Sequence, residues 1–166
     1  MRNHLLAALA LVLAVGFSVP ARADIDLEGT LLVGSGFETG GDPGNSYAFQ
    51  IGGQAELIIN GFVGGFRATR AISFRDSPAA LDLRSIGGDL GYEWELAFFH
   101  IGPRVGLGYV STLRKDTFKS FYVEPGAVAE IELGWFVIGV DVRYRVVTGD
   151  MDRNGLLAYG KIGLRF

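Results

Sequence analysis

Cysteine is absent from the 166 residues, and histidine occurs twice, at His4 and His100. No disulfide can staple the chain, and the His/Cys cluster on which zinc-type sites depend cannot be assembled. After residue 23 no apolar run approaches 18 residues, so a membrane-spanning helix is excluded. Basic clusters are also missing, and the formal net charge is −3, which argues against nucleic acid as a partner. No linker, low-complexity segment or helical periodicity interrupts the sequence.

The first 23 residues read as a secretory leader. Arg2 and His4 make a short polar start, Leu5 to Phe17 an apolar core, and Ala21-Arg-Ala23 a small-x-small cleavage site. No cysteine follows, which excludes a lipoprotein anchor at that point. Residues 24–166 are then expected to form one domain, with 13 basic against 18 acidic residues once Arg2 and Arg22 are gone.

That domain is apolar by alternation. Its last stretch, Leu156 to Phe166, places Leu156, Ala158, Gly160, Ile162, Leu164 and Phe166 on one face. Leu157, Tyr159, Lys161, Gly163 and Arg165 fall on the other. Period two predicts a strand. Seven similar stretches precede it, at about 25–37, 46–59, 62–71, 85–96, 99–111, 120–133 and 136–147. Most are longer than ordinary globular strands and long enough for a tilted bilayer crossing. Connections alternate between very short (Asn60-Gly61, Ala97-Phe98, Gly134-Trp135) and longer polar ones (38–45, 72–84, 112–119, 148–155). Short turns at one end and longer loops at the other predict an eight-stranded antiparallel up-and-down transmembrane barrel, all-β, with its amino end periplasmic.

Which face is inside follows from volume and charge. One face carries large residues such as Leu31, Phe66, Trp94, Ile101, Tyr109 and Ile138; the other carries acids and bases interleaved with glycine. A lipocalin-like soluble barrel would turn the large set into a bore with room only for side chains or one small ligand, and would overfill it. Inverted, the large residues meet lipid. An Arg or Lys facing the bilayer midplane costs roughly 2–4 kcal/mol, so Arg104, Arg143 and Lys161 belong in the lumen. Aromatic residues gather towards both strand ends, as two interfacial girdles require.

The pattern resembles the small eight-stranded bacterial outer-membrane barrels, the OmpX and OmpA membrane-domain class. Its most specific element is the ending Gly160-Lys-Ile-Gly-Leu-Arg-Phe166, in which Gly160, Ile162, Leu164 and Phe166 are similar to the terminal signal such proteins present to the barrel-assembly machinery. Gly160 stands one residue before the position that signal gives to glycine. The resemblance implies outer-membrane localisation and a lumen without a continuous aqueous pore.

Candidate chemistry lies in that lumen. Arg67, Glu93, Glu95, His100, Arg104, Glu130, Asp141, Arg143 and Lys161 are expected to form a structural ionic network, because desolvated charges must be paired and hydrogen-bonded. Around an Ala97-Phe98 turn, Glu95 should face and hydrogen-bond His100, and Arg104 should lie diagonal to Glu93. Around Asn60-Gly61, Gln54 should face Arg67. Catalytic, cofactor and metal residues are expected to be none. His100 is followed by Ile101 and Gly102, so the His-x-Ser arrangement of lipid A deacylases is missing, and Asp150 and Asp152 read as a solvated turn. Arg70, Arg114, Lys115 and Lys119 would meet lipopolysaccharide phosphates at the loop end. The expectation is a monomeric outer-membrane barrel with a structural or surface-interaction role and a non-conducting lumen. A small-solute pore, a lipid A-modifying enzyme and a soluble binder are the competing readings.

Overall fold

The computed structural model describes residues 24–39, 46–72, 83–112, 119–148 and 154–166. The strands are β1 (Ile25–Glu38), β2 (Ser46–Ile59), β3 (Phe62–Ile72), β4 (Leu83–Tyr92), β5 (Trp94–Leu96), β6 (Phe99–Thr112), β7 (Lys119–Leu133), β8 (Phe136–Thr148) and β9 (Gly155–Arg165). Every pairing is antiparallel and joins sequence neighbours, apart from β4 with β6 and from β1 with β9, which closes the sheet. Short β5 continues β4 against β6, so the wall has eight positions. Residues 1–23, where a leader is expected, lie outside the described residues.

The expected strands and tight turns are all present, with one interruption at Glu93. Its cause is Pro103. The register on either side (Gly91 opposite Arg104, Trp94 opposite Ile101) places Pro103 against Tyr92, where it has no N–H to offer. Arg104 Nη1 donates to the Tyr92 carbonyl at 3.1 Å instead. Pro125 opens a similar gap between β7 and β8, where pairing skips from Val123–Val146 to Gly126–Arg143. At the opposite edge of β1, one extra residue in β2 makes a bulge between the Gly34–Gln50 and Gly36–Tyr47 pairs.

The tight turns obey backbone chemistry. Asn60 and Gly61 both have positive φ (52° and 81°), as an Asn-Gly hairpin requires, and Gly134 opens its turn at 68°. Ala97 adopts 62° without being glycine, a conformation that crowds its Cβ.

Alternation sorts the side chains as the volume argument demands. Leu31, Phe66, Leu90, Tyr109, Ile138 and Ile162 are exposed on the outer surface, while Arg67, Arg104, Arg143, Arg145, Lys161 and Arg165 are buried within. An exterior so apolar is a surface built against hydrocarbon. Aromatic residues crowd the short-turn end: Trp135 lies 6.2 Å from Phe166, and half-buried Tyr92 lies edge-on to both Phe62 and Trp94. At the loop end Tyr109 meets Phe121 at 5.8 Å.

Candidate functional site

The bore is stratified. Its loop-end layer is apolar, with Leu32, Ala48, Ala71, Leu83, Val110, Val147 and Leu157 packed above Tyr122 and Tyr159. Ile58, Val63, Val128 and Val137 are buried towards the short-turn end. Ion pairs fill the space between.

Several of the large inward residues face glycine across a strand boundary, which makes room for them in so narrow a bore. Arg104 lies between Gly91 and Gly126, Arg143 faces Gly126, and Gly139 separates Glu130 from Lys161. A Cβ at Gly91 would reach 2.5 Å from Arg104 Cδ, and one at Gly126 2.7 Å from Arg143 Cγ. The interleaving of glycine with charge in the sequence is therefore a packing rule.

Two charged layers result. In the layer nearer the loops, three carboxylates meet three guanidinium groups. Arg143 Nε donates to Asp141 at 2.7 Å and its Nη1 to Asp89; Arg67 lies 3.3 Å from Asp141 and 3.8 Å from Glu124; Arg145 pairs with Glu124. Tyrosine rings join this layer to the apolar one above. The Arg67 guanidinium sits 4.4 Å over the Tyr159 ring and that of Arg145 4.9 Å over Tyr122. Tyr159 donates its hydroxyl to Gln50 Oε1 at 2.6 Å. Gln54 lies opposite Arg67 in register but donates to Asp89 at 3.2 Å.

Nearer the turns, Glu28, Glu56, Glu93 and Glu130 surround Arg104, Lys161 and Arg165. Arg165 reaches Glu28 at 2.5 Å and both Glu93 and Glu130 at 2.9 Å. Arg104 reaches Glu93 at 2.9 Å and Glu56 at 3.4 Å. Glu28, Glu56 and Glu130 converge closely enough to suggest a cation site, but the Lys161 ammonium contacts all three. The cation there is covalently part of the chain.

Of the residues singled out for this network, Arg67, Glu93, His100, Arg104, Glu130, Asp141, Arg143 and Lys161 are buried in the bore, and Arg104 is diagonal to Glu93. Glu95 is not among them. It lies opposite His100 in register, yet all of β5 is exposed. His100 Nδ1 is 3.0 Å from Glu93 and its Nε2 is 3.2 Å from Glu132. Glu95 has passed the packed section and reached the rim, where water solvates a carboxylate at no desolvation cost. Glu28, Glu56, Asp89 and Arg165 join the network across the bore or through closure of the sheet, where no local spacing names their partners, whereas Glu124 and Arg145 stand opposite each other in the β7–β8 hairpin.

Gly160, Ile162, Leu164 and Phe166 share the exposed outer face of β9. Phe166 and Leu27 exchange backbone hydrogen bonds of 2.8 and 2.9 Å across the seam. Arg70 is exposed near the loop end of β3. Arg114, Lys115, Asp150 and Asp152 lie outside the described residues, and Lys119 is described only as backbone.

No protein-family model matches the sequence, and no curated protein matches it. Solved structures do. The chain superposes on the N-terminal β-barrel domain of Pseudomonas aeruginosa OprF with a TM-score of 0.68 at 10% identity, covering 87% of this chain and 100% of that one. Neisserial surface protein A gives 0.58 at 18% identity over 87% and 97% of the two chains. This is the fold of the small eight-stranded outer-membrane barrels. The attachment invasion locus protein Ail of Yersinia pestis shares it at a TM-score of 0.51 and 17% identity, over 86% and 97% of the two chains. Ail is also known in complex with the heparin analogue sucrose octasulfate. The fold makes the inside-out barrel, with its apolar wall and polar bore, the frame for every reading of this chain's residues.

Proposed function

We propose that the chain is an integral, monomeric outer-membrane barrel with a structural or surface-interaction role and a charge-filled, non-conducting lumen. Residues 1–23 serve as its export leader, and residues 24–166 form the membrane domain. One observation carries this reading: six buried cations each pair with carboxylates inside a wall whose outer face is lined by large hydrophobic side chains. Buried charges held this way are costly to separate. A permeating ion would have to break pairs in both charged layers and then cross the apolar layer at the loop end.

His100 is the only histidine after the leader. Its contacts with Glu93, Glu132 and Arg165 favour a place in the ionic network over a catalytic one. Gly160, Ile162, Leu164 and Phe166 present the assembly machinery with an apolar edge that ends on an aromatic carboxyl terminus. Lipopolysaccharide is the surface partner, met by Arg70, Arg114, Lys115 and Lys119 at the loop end.

Planar-bilayer recording of the purified mature domain tests the lumen. Inserted protein should give no stable unitary steps, and large steps would defeat the reading. Gel migration tests the membrane assignment. The folded form should need detergent or lipid and should shift its migration on boiling, whereas a domain dispersed in plain buffer would contradict it.

A further inference from the structure

One charged pair on the outside of the wall has no role in the bore. Arg70 of β3 and Arg84 of β4 are direct cross-strand partners, and Ser111 of β6 lies opposite Arg84 in the same row. Both arginines are exposed, and among the described residues neither has an ion-pair or hydrogen-bond partner. Like charges directly opposite each other destabilise a sheet. The row therefore needs an anion that the described residues do not supply.

Its height narrows the choice. Arg70 is eight residues along β3 from Phe62 at the short-turn girdle, which for a tilted strand is a rise of roughly 20 Å. The apolar band of such barrels is about 25 Å tall, so the pair stands at the loop-end interface, level with lipid headgroups. Directly beneath it on the same face is the row Ala68, Ile86, Tyr109. Ala68 is short and faces Gly53, and beside them the wall carries an apolar depression of about 660 Å³ that Arg70 and Arg84 border.

We infer that this row and depression form a binding site for an acylated, phosphate-bearing glycolipid of the outer leaflet. The phosphate lies between the two guanidinium forks, within reach of the Ser111 hydroxyl. An acyl chain occupies the hollow over Ala68, beside Ile86 and Tyr109. Phosphate suits the pair because it carries up to two charges and offers several acceptors to planar forks. An amphiphile suits the place because the hollow is apolar and opens towards hydrocarbon. The inference rests on the outer-membrane reading and deepens it by assigning Arg84, Ser111 and Ala68 to a lipopolysaccharide contact.

The full mature barrel in nanodiscs can be titrated with bisphosphorylated lipid A, dephosphorylated lipid A, phosphatidylglycerol and inorganic pyrophosphate. Native mass spectrometry would count bound lipid. The wild type should prefer bisphosphorylated lipid A over all three others. The double variant Arg70→Gln/Arg84→Gln should fold, because it relieves a like-charge contact, and should bind that lipid about tenfold or more weakly. Ala68→Leu, which fills the hollow and keeps both charges, should weaken it as well. Equal binding of dephosphorylated lipid A or phosphatidylglycerol, or unchanged binding by both variants, would overturn the site. Pyrophosphate binding as tightly as the lipid would overturn its lipid part. Failure of the wild type to enter nanodiscs would strike the membrane reading instead, so the two can be told apart.

Discussion

The Lys161 ammonium stands among three carboxylates from three other strands: Glu28 of β1 at 3.2 Å, Glu56 of β2 at 3.3 Å, and Glu130 of β7. A single side chain of β9 thus holds charges that are far apart in sequence. Replacing it by methionine keeps the volume and leaves three buried carboxylates short of a cation. Lys161→Met should lower the unfolding free energy by about 3–5 kcal/mol, measured by urea titration in micelles. Adding Glu130→Gln should recover part of that loss, and additivity of the two changes would refute the coupling.

The same cluster predicts a gain of metal dependence. In Lys161→Ala the three carboxylates keep oxygen atoms within 4.8 Å of one another but lose their tethered cation. Calcium should then raise the thermal midpoint of the variant and leave the wild type unmoved. Identical calcium responses in differential scanning fluorimetry would show that Lys161 does not occupy that position.

Glycine in the bore and glycine on the wall should respond differently to a side chain. Gly126 faces Arg143, and a Cβ there would meet Arg143 Cγ at 2.7 Å; a Cβ at Gly64 meets nothing within 4 Å. Gly126→Val should destabilise the barrel by about 1–3 kcal/mol through overpacking. Gly64→Val should be neutral or slightly stabilising. Heat-modifiable gel mobility, scored against temperature, separates the two.

Ala97 is the residue whose conformation its own turn penalises, with φ at 62°. Glycine adopts that region without a steric penalty. Ala97→Gly should therefore raise stability by up to about 1 kcal/mol. A fall in the urea midpoint would mean that the Ala97 methyl makes contacts worth more than the strain.

The strands, the tight turns and the inward or outward sense of their residues were all legible in the sequence. Period two and Asn-Gly punctuation are local signals, and a hairpin fixes its own register. The Arg104–Glu93 contact was accessible in the same way, because both residues flank one turn. Glu95 was misplaced because parity says which face a residue takes but not where the packed bore ends. The partners of Lys161 could not be read, since Glu28 and Glu56 reach it only when the sheet has curled upon itself, and Glu130 only across Gly139, through a register set by the longer loop between β8 and β9. Arg84 was overlooked for a related reason. Its significance lies in standing beside Arg70, and that depends on the length of the loop between β3 and β4. The apolar layers within the bore followed parity, but Leu32, Val137 and Leu157 look ordinary until the ring of neighbours they fill is known.

Glu28 has one further consequence. It touches both Lys161 and Arg165, and those two cations belong to β9, which reaches β1 only when the sheet closes. Until they arrive, the opening strand carries a bare carboxylate facing a space that must become dry. Docking of β9 on β1 therefore closes the wall and neutralises its first strand in a single event.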